Sequence, residues 1–106
     1  MGKKNGELYS PRAVTVLFAS GEVAVADTGN HRVQIFDFSG NYKRQFGSKG
    51  AEADAHFHGP AGLATDGHGN MLVLDSRTDR LQLFDIQGTH LCTRSDLGLR
   101  KGGYPG

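Results

Sequence analysis

The side chains best able to do chemistry in this 106-residue chain are five histidines, one cysteine and a twice-written aspartate–arginine pair. His56 and His58 stand two apart and could offer two imidazoles to a metal ion. No third ligand is placed beside them by the sequence, so they read as solvated linker histidines. Asp66-Gly67-His68-Gly69-Asn70 puts oxygen-bearing side chains at alternate positions, faintly like a calcium loop. It lacks a bidentate acid at the required distance downstream, and the reading is a turn. Cys92 stands alone and cannot form an internal disulfide. With no nucleophile–base pair and no convergent carboxylates in view, the sequence predicts a non-catalytic chain without metal or cofactor.

Asp27 and Arg32 bracket one four-residue loop, and Asp75 and Arg80 bracket another. The pairs recur while the residues between them change. That pattern points to a structural role, in which each carboxylate fixes its hairpin. The tips, Thr28-Gly29-Asn30-His31 and Ser76-Arg77-Thr78-Asp79, are freer to bind something.

Positioning these residues requires short strands. Val25–Phe38 reads as strand, tight loop, strand, and Val73–Ile86 repeats it 48 positions later. A fixed period of this size marks a repeat architecture. Each unit extends to four antiparallel strands: Ala13–Phe18, Val23–Ala26, Val33–Phe38 and Tyr42–Phe46, then Leu63–Thr65, Met71–Leu74, Leu81–Ile86 and His90–Arg94. Pro11 and Pro60 are 49 apart, whereas Asp27 and Asp75 are 48 apart, so one residue of length is expected to differ in the first turn. The second and third strands are apolar on both faces, so each sheet needs a neighbour on either side. Blades arranged radially around a channel meet that need. Lys43, Arg44, Gln45, Thr93 and Arg94 on the fourth strands then suit a solvent-facing rim. The expected division is a flexible lead-in at 1–9, a blade at 10–47, a linker at 48–59, a blade at 60–96, and the start of a further repeat or a tail at 97–106.

The second-to-third strand loops and the blade-to-blade linker emerge at one end of such a unit. That end gathers His31, Arg32, Lys49, His56, His58, Arg77 and Arg80, a candidate binding surface on rigidly held loops. Glu52, Asp54 and Asp79 share it and weaken its field. His31, His56, Phe57 and Tyr104 could stack on bases, although Phe57 reads better as a plug beneath the linker. The net charge of +1 gives no whole-chain attraction to nucleic acid or membrane, so a basic patch must be local. A lone cysteine, no apolar run of membrane-span length and no apolar core at the N-terminus lead to the expectation of a cytoplasmic protein without a membrane partner.

The Val-Ala-Asp-Thr-Gly-Asn-His-Arg-Val-Gln-Ile-Phe run, with Asn30-His31-Arg32 at its centre, resembles an NHL repeat. The second copy departs, having Thr78-Asp79-Arg80 in place of the triplet. The Phe46–Gly50 and Phe57–Gly62 segments are particularly similar to the NHL domains of tripartite-motif (TRIM) proteins. This resemblance implies an all-β fold of propeller blades and a platform that recognises a partner protein or single-stranded RNA. It also implies service to a ubiquitin ligase whose catalytic module lies elsewhere. Two blades cannot close a ring. Either they are part of a longer propeller or several copies self-associate into a scaffold.

Overall fold

The computed structural model describes residues 4–49 and 56–95. Two four-stranded antiparallel sheets form its body. The first runs β1 (Ala13–Leu17), β2 (Glu22–Asp27), β3 (Arg32–Asp37) and β4 (Tyr42–Phe46), paired in chain order. The second repeats that order with β7 (Pro60–Thr65), β8 (Met71–Asp75), β9 (Arg80–Phe84) and β10 (His90–Arg94). Between them β5 (Ser48–Lys49) pairs in parallel with β6 (His56–Phe57). This is the all-β pair of meanders that the repeat predicts.

The hairpins are tighter than their sequence suggests. Asp27 and Arg32 are register partners in the β2–β3 ladder, as are Asp75 and Arg80 in β8–β9. The first hairpin tip closes with a single 3-10 turn over Thr28–Asn30. β3 ends at Asp37, which leaves Phe38 in a turn and 65% exposed. Val16 pairs with Val23 across six intervening residues, and the equivalent Thr65 pairs with Met71 across five. The extra residue therefore sits in the first turn of the first blade. At the far turns Asp37, Asp66 and Asp85 each use Oδ1 to accept two backbone N–H groups, and the Asp66 bonds come from His68 and Asn70. Its carboxylate closes a turn, as Asx geometry does.

The core lies between the blades. Leu17, Ala24, Val33 and Ile35 of the first sheet meet Met71, Val73 and Phe84 of the second, with Phe46 and Leu63 packed alongside. Phe57 is fully buried among them, the plug its linker position suggests.

Two expectations need correction. The first is the flexible lead-in at 1–9, because its described part, 4–9, is tied to the first blade. Arg32 donates to the carbonyls of Lys4 and Glu7, Gln34 donates to that of Glu7, and Tyr9 N–H donates to Asp27. In the second blade Arg80 and Gln82 donate to the His56 carbonyl, and Asp75 accepts from His58 N–H. Glu7–Pro11 is thus to the first blade what His56–Pro60 is to the second. Buried donors on Arg32 and Gln34 need acceptors, and this segment supplies them.

The second correction concerns Arg44, expected on a solvated rim. Its guanidinium forms a 3.0 Å pair with Glu22 and donates to the Ile86 carbonyl, joining the blades. Its hydrogen bonds, with one from Ser20, hold the Glu22 carboxyl below its ordinary value of 4.5, despite opposition from burial. A carboxyl so depressed stabilises the fold above its unfolded pKa and loses that contribution as pH falls through the folded one. Urea unfolding midpoints should therefore drop on acidification below about pH 4.5, and Glu22→Gln should flatten that acid limb. Asp37 and Asp66 are held low by backbone and Asn hydrogen bonds and will keep part of the slope. The Glu22 assignment fails if the variant's midpoints track the parent at every pH.

Candidate functional site

Asp27 anchors the first hairpin tip. Its buried carboxylate accepts from Tyr9 N at 2.7 Å, Asn30 Nδ2 at 3.0 Å, Arg32 Nε at 2.7 Å and Gln34 Nε2 at 3.1 Å. Asp75, also buried, accepts from the backbone N–H groups of His58, Gly59, Arg77 and Thr78. Each aspartate thereby joins a hairpin tip to the segment that enters its own blade.

Further bonds cross from one blade to the next. Thr28 Oγ1 donates to the Pro60 carbonyl. His31, in the left-handed region at φ 57°, places Nδ1 at 2.8 Å from the His58 carbonyl. A carbonyl only accepts, so Nδ1 carries the hydrogen. The His31 and His58 rings lie 5.9 Å apart and tilted by 39°.

Around these bonds lies a cleft of about 330 Å³ lined by Tyr9, Arg12, Thr28, His31, His58 and Arg77 among others. A depression on one side continues past Arg12 and Arg77 to Gly59 and Ser76. Another on the opposite side runs from His31 to Lys49. No carboxylate lines any of the three among the described residues. Gly59 lets the Arg77 side chain pack close to the chain beside the depression, because a Cβ there would lie 2.6 Å from Cγ of Arg77.

The structure sorts the candidate residues. His31, His58, Arg77 and Lys49 come together along the cleft. Arg32 and Arg80 are corrections: they are only 6% and 5% exposed. Arg32 is committed to Asp27, to Gln45 and to two carbonyls, and Arg80 to Thr78 and the His56 carbonyl. Burying a guanidinium requires that its donors be answered locally, which removes both from ligand binding. His56 contributes its carbonyl beneath the tip and does not line the cleft. Glu52, Asp54 and Tyr104 lie outside the described residues.

Sequence reasoning missed Tyr9 and Arg12. Both belong to the segment that reads as a lead-in or to its junction with β1. The 49-residue spacing already equates Tyr9 with His58, and extending the repeat upstream would have found it. The site can do electrostatic and stacking work: cations, imidazoles and one phenol facing a solvent-filled groove. Among the described residues no group of three His, Cys, Asp or Glu side chains could hold a metal ion.

Comparison with known proteins fits this geometry. The NHL repeat family matches residues 8–36. RING finger protein nhl-1 of Caenorhabditis elegans is 47% identical over 64 residues, covering 60% of this chain and 6% of that protein. Protein brain tumor of Drosophila melanogaster is 33% identical over 88 residues, covering 82% of this chain and 8% of its own length. E3 ubiquitin-protein ligase NHLRC1 of Homo sapiens is 32% identical over 84 residues, covering 78% and 21% respectively. The chain therefore spans at most about a fifth of these curated relatives. A putative exported protein of Bacteroides fragilis superposes with a TM-score of 0.63 at 19% identity, over 87% of this chain and 24% of its own. That likeness carries the fold alone.

Proposed function

Because the chain belongs to the NHL-repeat family, we propose that its two blades are a non-catalytic, cytoplasmic binding platform whose inter-blade cleft takes single-stranded RNA. The observation that carries this reading is the cleft itself. Arg12, Arg77 and Lys49 supply cationic groups for phosphates, while Tyr9 and His58 supply rings on which bases can stack. The net charge of +1 means that this concentration is local, set by placement and not by composition. In a longer parent protein the platform would recognise targets for a ligase module located elsewhere, a reading supported by two relatives named as a RING finger protein and a ubiquitin ligase.

A partner protein is the second reading, favoured by the same cations, which an acidic peptide would also satisfy. Stacking separates the two. Anisotropy titration of labelled poly(U) should give a linear fall of log affinity with log salt. Arg12→Glu with Arg77→Glu should weaken binding by about tenfold or more and make the salt slope shallower by roughly 0.7 for each phosphate no longer neutralised. Tyr9→Ala should weaken poly(U) while sparing an acidic peptide. Absence of poly(U) binding by the unmodified chain at low salt would remove the RNA reading.

A further inference from the structure

Beyond its imidazoles the cleft continues into a pocket of about 180 Å³ between the two blades. Arg12 and Thr28 line it from the first blade, and Gly59, Ala61, Ser76 and Arg77 from the second. Both walls therefore belong to blades that this chain itself packs together. The repeat explains the space. Ala61 stands 49 positions after Arg12, so the second blade puts a methyl where the first puts a guanidinium. Gly59 stands for Ser10 at the same spacing, and Ser76 for Thr28 at 48. Each second-blade residue is the smaller of its pair.

The polar side chains of this pocket are carried on anchored backbone. Arg12 N–H donates to the Ala26 carbonyl at 3.1 Å, which ties the residue to β2 just before β1 begins. Ser76 N–H donates to the Gly59 carbonyl at 3.2 Å. Arg77 N–H donates to Asp75 Oδ1 at 3.1 Å, and the stem of its side chain lies against Gly59. The Thr28 hydroxyl is spent on the Pro60 carbonyl, so the side-chain donors on offer are the Ser76 hydroxyl and the two guanidiniums. No carboxylate lines the pocket among the described residues.

Two positive charges and three donor groups select among phosphates. An internal phosphodiester brings a single negative charge and two unshared oxygens. A terminal phosphomonoester brings about two charges near pH 7 and three such oxygens. Guanidiniums suit it further, because each can hold two of those oxygens at once. We propose that this pocket seats a terminal phosphate of the RNA strand whose bases occupy the neighbouring cleft, an inference that rests on the RNA reading above. The monoester then fixes where the strand starts on the platform, and Tyr9 and His58 stack on nucleotides next to that end.

Competition against labelled poly(U) on the full chain tests this with three short oligouridylates. One carries a 5′-phosphate, one a 3′-phosphate, and one hydroxyls at both ends. One phosphorylated strand should displace poly(U) about tenfold better than the hydroxyl strand at equal salt, and its identity names the end that is read. Arg12→Gln removes a guanidinium and Ala61→Leu fills the space, so each should bring the three strands toward equal affinity. Arg12 is exposed, so its variant keeps the test standing if circular dichroism shows that Ala61→Leu has lost the parent's strand spectrum. Three strands of equal affinity in the unmodified chain overturn the proposal and leave the RNA reading intact. An equal gain from either phosphate also overturns it, since added charge alone explains that, as does a preference that survives Arg12→Gln undiminished. A phosphoserine peptide that displaces poly(U) as well as the favoured strand does would overturn it in favour of a partner protein. If poly(U) itself does not bind at low salt, both readings fall together.

Discussion

Asp27→Ala is expected to cost about 3–5 kcal/mol in urea unfolding, because it strands a buried guanidinium. The carboxylate is fully buried and receives four donors, among them Arg32 Nε at 2.7 Å. Removing it leaves Arg32, itself 6% exposed, as an uncompensated charge in a medium that solvates charge poorly. It also takes the acceptor from Tyr9 N–H and from one of the two Gln34 Nε2 hydrogens, loosening the 4–9 segment that frames the cleft. A stranded charge has a sharper consequence than the destabilisation itself. Replacing both partners, Asp27→Ala with Arg32→Met, should destabilise less than Asp27→Ala alone, since the orphaned cation is then absent. If the double variant is the less stable of the two, the stranded charge is not what the single variant suffers from.

Phe57→Ala is expected to cost a similar amount, about 3–5 kcal/mol, by opening a cavity between the blades. The ring is wholly buried, with centroids 6.3 Å from Phe46 and 5.7 Å from Phe84, both edge-on. Gly47, at φ 100°, leaves the room it needs, because any Cβ there would strike the ring. The position magnifies the effect. Phe57 lies between His56, whose carbonyl takes Gln82, and His58, whose N–H goes to Asp75 and whose carbonyl takes His31. Losing the plug should raise amide exchange at His58 and weaken cleft binding together with stability. Phe57→Leu should fall between parent and alanine. A loss below about 1 kcal/mol, within the range of ordinary surface changes, would show that the blades close without the plug.

These two residues show what can be read from the chain before it folds. Asp27 was legible because it recurs at Asp75 with an arginine five places on, and recurrence amid change marks structure. Phe57 was legible as an apolar residue in a polar linker. The clamp at Arg44 was not legible. A charged residue on an alternating edge strand reads as solvated, and only the approach of Ile86, 42 residues away, turns it inward. Arg32 and Arg80 resemble surface cations for the same reason, and burial reveals them as braces.

By itself the sequence determined the two four-stranded meanders, their 48-residue period, the turn with one extra residue and the tip-fixing aspartates. Those features depend on alternation, turn chemistry and repetition, which act between residues close along the chain or at a fixed offset. The tertiary structure decided which cations face solvent and that Tyr9 and Arg12 join His58 and Arg77 in one cleft. It also decided that residues 4–9 serve the first blade as a linker. The physical reason is common to all three. A guanidinium or a backbone carbonyl takes whichever partner the packing brings within hydrogen-bond reach, and partners many residues apart leave no local pattern to read.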